Sequence, residues 1–449
     1  MSKAVDIDEL LDNAKLRAVH VRTLAMCAIA MMIDGYDLYV VGWILPALSD
    51  SFHVSRVALT PVLLIQQTAM LISAMFVAPF GDRIGRRNLI LWCLAGTGVF
   101  SLGAAFATNP TEFTIWRVLT GLCAAAVVPN LVTLSSEIAP RRLRATFSTI
   151  TLAGSMGGAL LGAGMQGFVL PTYGWTGAMF LGAGLSAFIV PVGFLMMSES
   201  PRFLVRRNSA DSRLPGLLAK MGLTLEAGAT LTVASGHKLA AGGRDRVKAL
   251  LGDGRAVTTV LLWCAFIASF TFIGQWSSWS TTVFKDTLEM DWKAIATMNS
   301  LYTSLGVVGT MTIGFAIDRF GFRAVLPTTF ALGFAGAVGV ALTAPASTMF
   351  VCLAVMGLFQ HASQAGIAAL AASLFPASHR ATAVGWAYGT GRIGSIIGPA
   401  TGSVLVHRHG GPVETFIGFG LPLLFASVLL LFLFRRADRQ PSAVALTRA

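Results

Sequence analysis

Gly81-Asp82-Arg83-Ile84-Gly85-Arg86-Arg87 recurs 236 residues later (318 − 82) as Asp318-Arg319-Phe320-Gly321-Phe322-Arg323. The same offset relates Pro140-Arg141-Arg142-Leu143-Arg144-Ala145-Thr146 to Pro376-Ala377-Ser378-His379-Arg380-Ala381-Thr382. It also carries Gly121 onto Gly357, Gly158 onto Gly394 and Gly162 onto Gly398. One register shared by separate stretches, without net insertion, marks two copies of a single structural unit.

Working outward, the segments between these charged stretches are apolar. The chain has 449 residues, of which 55% are hydrophobic and 12% charged, and its mean hydropathy is +0.70. A water-soluble domain of that composition would expose too much apolar surface. Runs of about 20 apolar residues each suffice to cross a bilayer core. Inside that core the backbone must satisfy its own hydrogen bonds, so the runs are expected to be helices. The alternation of a membrane barrel is absent, and the 47 glycines suit close helix packing. The expected fold is an all-α membrane protein with twelve transmembrane helices in two pseudo-symmetric six-helix bundles. An N-terminal segment (1–21) precedes the first bundle (22–197), a polar linker (198–255) leads to the second (256–434), and a tail (435–449) follows. The linker reads equally as a solvated connection or as one or two amphipathic helices lying under the bundle.

The net charge of +12 does not indicate nucleic acid, because of where the charge falls. Outside the expected spans, Lys and Arg collect in the termini, the linker and the loops on one side. The opposite loops hold Arg56, Lys285, Lys293 and Arg408. By the positive-inside rule both termini are cytosolic, in a multi-pass protein of the inner (plasma) membrane. The first apolar run spans fully, so it reads as a helix and not as a cleaved signal. Cys27, Cys93, Cys123, Cys264 and Cys352 all fall within spans and lack paired spacing, as expected of small buried hydrophobes. No nucleophile–base pair or metal cluster appears; His407-x-His409 has no companion ligands. Neither an enzyme nor a resident cofactor is expected.

The repeated charged turn has a mechanical reading. Gly85 permits a tight turn, the arginines remain at the headgroups, and Asp82 can accept from a helix N-terminus or an arginine. Such a network closes one side of a carrier in one state and opens in the other. Asp82, Arg83, Gly85, Arg86 and Arg87, with Asp318 and Arg319 in the second copy, are the candidate gate. The first copy resembles the loop 2–3 motif G-x-x-x-D-R-x-G-R-R of the major facilitator superfamily, with Ala78 in place of the first glycine. Ser198-Glu199-Ser200-Pro201-Arg202 is similar to that superfamily's P-E-S-P-R motif. Glu137 with Arg144 resembles its helix 4–5 gate pair, and Arg117-x-x-x-Gly121 its helix 4 motif, where Cys123 replaces the second glycine.

Ionisable residues inside a span are costly and point to function. Asp34, Asp37, Arg117, His361 and Arg392 qualify. Asp34 and Asp37, three apart in the first span, share a helix face. Two like charges so close in a dry medium disfavour simultaneous ionisation, as a proton carrier requires. The alternative is that both pair with Arg117 and brace the bundle. Arg392, among glycines at 389, 391 and 394, has room to meet a carboxylate in two-point fashion, or to form an interhelical ion pair. His361 beside Gln360 is either a donor to substrate and proton shuttle or a satisfied core histidine.

Asp34-Gly35-Tyr36-Asp37 resembles the D-G-x-D motif in helix 1 of the aromatic acid:proton symporters, which include 4-hydroxybenzoate and benzoate carriers. That resemblance implies proton-coupled import of small aromatic carboxylates by a functional monomer, serving aromatic catabolism. It implies that Asp34 and Asp37 couple protons and that Arg392 meets substrate. Arg117, Tyr36, His361, Gln360 and Trp386 are further candidates for the substrate site. Tyr36, Phe266, Phe270, Trp276 and Trp386 are available to wall an aromatic ring. The span carrying Gly154, Gly158 and Gly162 lacks the Gly-Pro of drug antiporters, which disfavours export. A sugar, polyol or other organic-anion porter is the alternative.

Overall fold

A computed structural model describes residues 4–12, 14–208, 211–223, 230–232, 252, 255–344, 347–375, 377–408 and 411–437. A short strand β1 (Ala4–Asp6) and helix α1 (Ile7–Asp12) precede α2 (Ala18–Phe52), α3 (Thr60–Phe76), α4 (Gly81–Ile84), α5 (Arg86–Ala105), α6 (Pro110–Ile138) and α7 (Arg144–Met196). Next come α8 (Pro201–Arg207), α9 (Arg213–Lys220) and strand β2 (Thr230–Thr232), which pairs in parallel with β1. The second half comprises α10 (Ala256–Thr282), α11 (Trp292–Thr343), α12 (Thr348–Ser373), α13 (Ala377–His407) and α14 (Pro412–Ala437).

Among the described residues, nine helical stretches are long and apolar enough to cross a membrane. Two of them, Arg141–Met196 and Trp292–Thr343, run to 56 and 52 residues, more than twice the roughly 20 that one crossing needs. Each is interrupted by a glycine in the left-handed region, Gly174 (φ 64°) and Gly321 (φ 76°), so each is long enough for two crossings. Helix α13, with 31 residues, contains Arg392 and is not among the nine. Trp92, Phe188 and Leu195 are more than two-thirds exposed, an arrangement that hydrocarbon accepts and water penalises. The chain is a multi-pass membrane protein.

Local sequence explains the helix ends. Asn109 accepts from the Glu112 N–H and Pro110 occupies the first helical position of α6. Asp291 accepts from the Ala294 N–H to start α11. Gly85 (φ 101°) breaks the chain between α4 and α5. Its repeat counterpart Gly321 also has positive φ, a region that L side chains avoid. The repeat is visible in packing too. A Cβ on Gly158 would overlap the Met32 carbonyl, and one on Gly394 the Ile267 carbonyl. A Cβ on Gly121 would press on the Gln66 carbonyl, and one on Gly357 on that of Tyr302. Gln66 and Tyr302 are themselves 236 apart (302 − 66), so both copies pack their helices in one register.

By contacts the chain forms two compact units. The first contains Met1–Leu38, Ile65–Gly162 and Trp175–Ala240; the second contains Tyr39–Leu64, Ala163–Gly174 and Ala241–Ala449. Parts of α2, α3 and α7 from the first sequence repeat thus belong by contact to the second unit. In the first unit a core forms from Ile7 and Leu11 of α1, Met31 of α2, Ile90 of α5 and Leu131 of α6. Phe203 and Leu204 of α8 and Leu214 and Leu218 of α9 join it. Within the linker, helices α8 and α9 are therefore packed into this core, and β2 pairs with β1. Residues 224–229, 233–251 and 253–254, Pro376, the side chain of Arg380 and residues 438–449 lie outside the described residues.

Candidate functional site

In the first unit, α2 places Asp34 and Asp37 one helical turn apart, at 9% and 4% exposure. Arg117 of α6, fully buried, donates through Nη2 to Asp37 Oδ1 at 2.7 Å. The same Nη2 is 3.4 Å from the Asp37 carbonyl, and Nε donates to Gln66 Oε1 of α3 at 3.3 Å. The guanidinium is thus committed to helix α2 and its neighbour. Arg117 Nη1 and Asp37 Oδ2 are buried without a hydrogen-bond partner. Such atoms are costly to leave unmet in a buried setting. Tyr36, expected at the substrate, uses its hydroxyl to donate to the Ala178 carbonyl at 2.7 Å. Its ring lies against Gly182, where a Cβ would stand 3.1 Å away. It ties α2 to α7 in the wall of the unit.

In the second unit, Arg392 is half-buried on α13. Tyr388, one turn before it, meets Phe266 edge-on at 5.4 Å and Phe270 at 6.0 Å. Phe266 and Phe270 stack at 6.5 Å, so an aromatic surface from α10 and α13 adjoins the arginine's helical turn. Trp386 is 42% exposed and stacks on Trp263 at 5.9 Å. Gln360 and His361 of α12 are buried. Gln360 Oε1 accepts from the Tyr302 hydroxyl at 3.0 Å. His361 Nδ1 lies 3.0 Å from the Gly357 carbonyl. That carbonyl can only accept, so Nδ1 carries the proton and Nε2 of the neutral ring is an acceptor. Trp276 packs against Tyr302 at 5.0 Å and against Phe284 at 5.8 Å.

The charged turn closes on itself within the first unit. Arg86 Nη2 donates to Asp82 at 2.9 Å, and Arg86 Nη1 pairs with Glu137. The sequence reading paired Glu137 with Arg144; in the structure Arg144 pairs with Asp12 instead. The reason is positional. Gly85 redirects the chain so that Arg86 lies between Asp82 and Glu137, while α1 brings Asp12 to Arg144. Arg87 donates from Nε to the Met197 carbonyl at 2.7 Å, and its backbone N–H donates to Glu199 Oε1 at 3.2 Å. Burial pushes the Glu199 carboxyl above its ordinary value, opposed by the Ser200 and Arg87 N–H donors and the Arg87 and Arg86 charges. Arg83 is exposed over the Phe80 ring. In the second copy Asp318 and Arg319 are both exposed, and Arg319 lies over Phe320.

A second set of contacts occupies the end poor in Lys and Arg. Arg56 donates from Nε to Asp286 at 2.8 Å, and from Nη1 to Asp50 at 2.6 Å and the Pro46 carbonyl at 2.7 Å. Asn299 Nδ2 donates to Gln166 Oε1 at 2.9 Å, and Gln166 Nε2 to Thr281 at 3.3 Å. Gly42 lies so near Ser277 that a Cβ would overlap its carbonyl. All these residues lie in the second unit, yet Gly42, Arg56 and Gln166 come from the first sequence repeat. Arg56, Asp50 and Asp286 line a cavity of about 770 Å³ together with Ser49 and His407.

A family model described as Major Facilitator Superfamily matches residues 27–349 and 261–449. The chain belongs to the major facilitator superfamily. The gallate transporter of Pseudomonas putida is 31% identical over 425 residues, covering 94% of this chain and 91% of that protein. The 4-hydroxybenzoate transporter of Pseudomonas putida is 28% identical over 410 residues, covering 90% of each. Among solved structures, a D-xylose-proton symporter superposes with a TM-score of 0.73 at 15% identity. That match covers 91% of this chain and 97% of the other, and shows the shared fold. The relatives and structural neighbours of this facilitator are transporters, which places it with carriers and not with enzymes.

Four features of this facilitator escaped sequence reading. Gln66 and Tyr302 look unremarkable within apolar runs, although each occupies the position opposite a repeated glycine. Tyr388 is betrayed only by its spacing of four from Arg392. Arg56 did carry a signal, being one of few basic residues in sparsely charged loops, a placement that topology alone does not require.

Proposed function

We propose that this protein is a proton-coupled symporter that imports small aromatic carboxylates by alternating access. The observation that carries the reading is the buried acidic pair on α2, with Asp37 closed onto Arg117 inside an apolar bundle. An intramembrane carboxylate is kept at such cost where it serves transport. The names of the relatives supply the substrate class: gallate and 4-hydroxybenzoate are both aromatic acids.

In this reading Asp34 and Asp37 couple the proton, and Arg117 with Gln66 positions Asp37. Arg392 neutralises the substrate carboxylate beside the ring surface of Phe266, Phe270 and Tyr388, while Gln360 and His361 contribute polar contacts. Asp82, Arg86 and Glu137 form the cytosolic gate, braced by Arg87 and Glu199. Arg56 with Asp286 helps to close the outer end. The protein resides in the inner membrane as a functional monomer with both termini cytosolic, and needs no cofactor beyond the coupling proton.

The test is uptake by proteoliposomes of labelled benzoate, 4-hydroxybenzoate and glucose under an imposed inward pH gradient. Accumulation of the acids but not of glucose is expected. Asp34→Asn should abolish that accumulation while the protein still inserts; undiminished gradient-driven uptake by this variant overturns the proton role.

A further inference from the structure

The second unit also buries uncharged polar groups. Gln360 of α12 is 1% exposed. Its Oε1 accepts from the Tyr302 hydroxyl at 3.0 Å. The other end, Nε2, is buried without any hydrogen-bond partner. A native protein seldom leaves a buried amide donor unmet, and where it does an absent partner is the first explanation to seek.

The surroundings indicate what kind of partner. The Tyr302 ring is tilted against Trp276 at 5.0 Å and meets His361 edge-on at 5.1 Å. Trp276 in turn contacts Phe284 at 5.8 Å and Phe416 at 6.2 Å. The positions are tightly held: a Cβ on Gly357 would overlap the Tyr302 carbonyl, and one on Gly306 would lie 2.5 Å from His361 Nδ1. With Nδ1 turned to the Gly357 carbonyl, His361 keeps an acceptor at Nε2. These residues therefore offer flat apolar walls, one unmet donor and one acceptor.

We propose that Gln360, oriented by Tyr302, recognises a ring hydroxyl on the substrate, so that the carrier prefers hydroxylated aromatic acids over their unsubstituted parents. A phenolic oxygen accepts from Gln360 Nε2 and still has a proton to donate, for which His361 Nε2 is the acceptor type at hand. A carboxylate lacks that proton and finds its natural counterion in Arg392. Tyr302 is a positioning residue: it holds the acceptor end of the amide and leaves the donor end free. This inference rests on the aromatic-acid reading above.

The experiment compares KM for 4-hydroxybenzoate and for benzoate in proteoliposomes of the wild type, Gln360→Leu and Tyr302→Phe. Wild type should favour 4-hydroxybenzoate. In Gln360→Leu the ratio of the two KM values should shift towards benzoate by about tenfold, the scale of one lost hydrogen bond in a dry site. Tyr302→Phe should shift it in the same direction by a smaller factor. A ratio within twofold of wild type in both variants overturns the proposal, as does a parallel rise in both KM values. Should Gln360→Leu fail to insert, the ratio in Tyr302→Phe decides alone. Failure of the wild type to carry either acid would instead defeat the underlying reading.

Discussion

Arg117 and Asp37 sit where neither charge survives well without the other. Arg117 is fully buried and Asp37 nearly so, which makes desolvation the dominant cost of each. Removing one partner strands the other, at a typical cost of about 3–5 kcal/mol. Arg117→Met should therefore lower the melting temperature in detergent sharply. Asp37→Asn combined with Arg117→Met should recover most of that loss without recovering gradient-driven uptake. Equal destabilisation in the single and double variants would show that packing, not charge, is what Arg117 supplies. Glu199 poses the opposite case, an acid whose carboxyl is raised because burial outweighs its N–H donors. The folded protein then holds the proton more tightly than the unfolded chain. That stabilising contribution is present at low pH and is lost as pH rises from the ordinary carboxylate value of 4.5 through the raised one. Glu199→Gln removes the titration, so its melting temperature should gain on wild type between pH 4 and pH 8. A difference independent of pH would disprove that assignment.

The elements show how far sequence could lead and where it stopped. The repeat offset located Gly85 and Gly321 as turn residues, because a positive φ leaves glycine as the natural choice at both. The α2 carboxylates Asp34 and Asp37 were legible for a similar reason: charge in an apolar run has no cheap explanation. Partners were not legible. Glu137 has Arg144 close by in sequence, and only the course of the chain after Gly85 brings the more distant Arg86 to it. Tyr36 reads as a substrate aromatic until its hydroxyl is seen on Ala178. The contact from Arg56 to Asp286 joins residues 230 apart and lies beyond any local pattern. It is partly exposed, and such pairs contribute about 0.2–1 kcal/mol, enough to bias a gate by up to about fivefold without deciding the fold. Ser49, buried and lining the neighbouring cavity, provides a reporter as Ser49→Cys. Its labelling by a maleimide should quicken up to about fivefold in Arg56→Ala and likewise in Asp286→Ala, each in that background. Arg56 also holds Asp50 and the Pro46 carbonyl, so the two changes together should do no more than Arg56→Ala alone. Multiplying effects would mean that the residues act separately.

At the scale of the whole molecule, transport is a matter of which charges travel together. The apolar spans make any net charge costly to move, and a potential of 100 mV acts on each uncompensated charge with about 2.3 kcal/mol. A substrate carboxylate brings one negative charge. On α2, Asp37 is held in its ion pair with Arg117, and the expected stoichiometry is one proton per substrate. One proton with one monoanion moves no net charge. Accumulation of 4-hydroxybenzoate in proteoliposomes should then follow the pH difference, about tenfold per unit, and ignore a potassium–valinomycin potential of either sign. A carrier taking two protons would move one positive charge per cycle, and the same 100 mV, inside negative, would raise its accumulation limit about fifty-fold. Measuring the plateau at fixed pH difference with the potential set to zero and then to that value separates the two. A plateau that rises with the potential would mean that Asp37 leaves Arg117 and takes up a proton during the cycle, and that the ion pair seen here belongs to one stage of it.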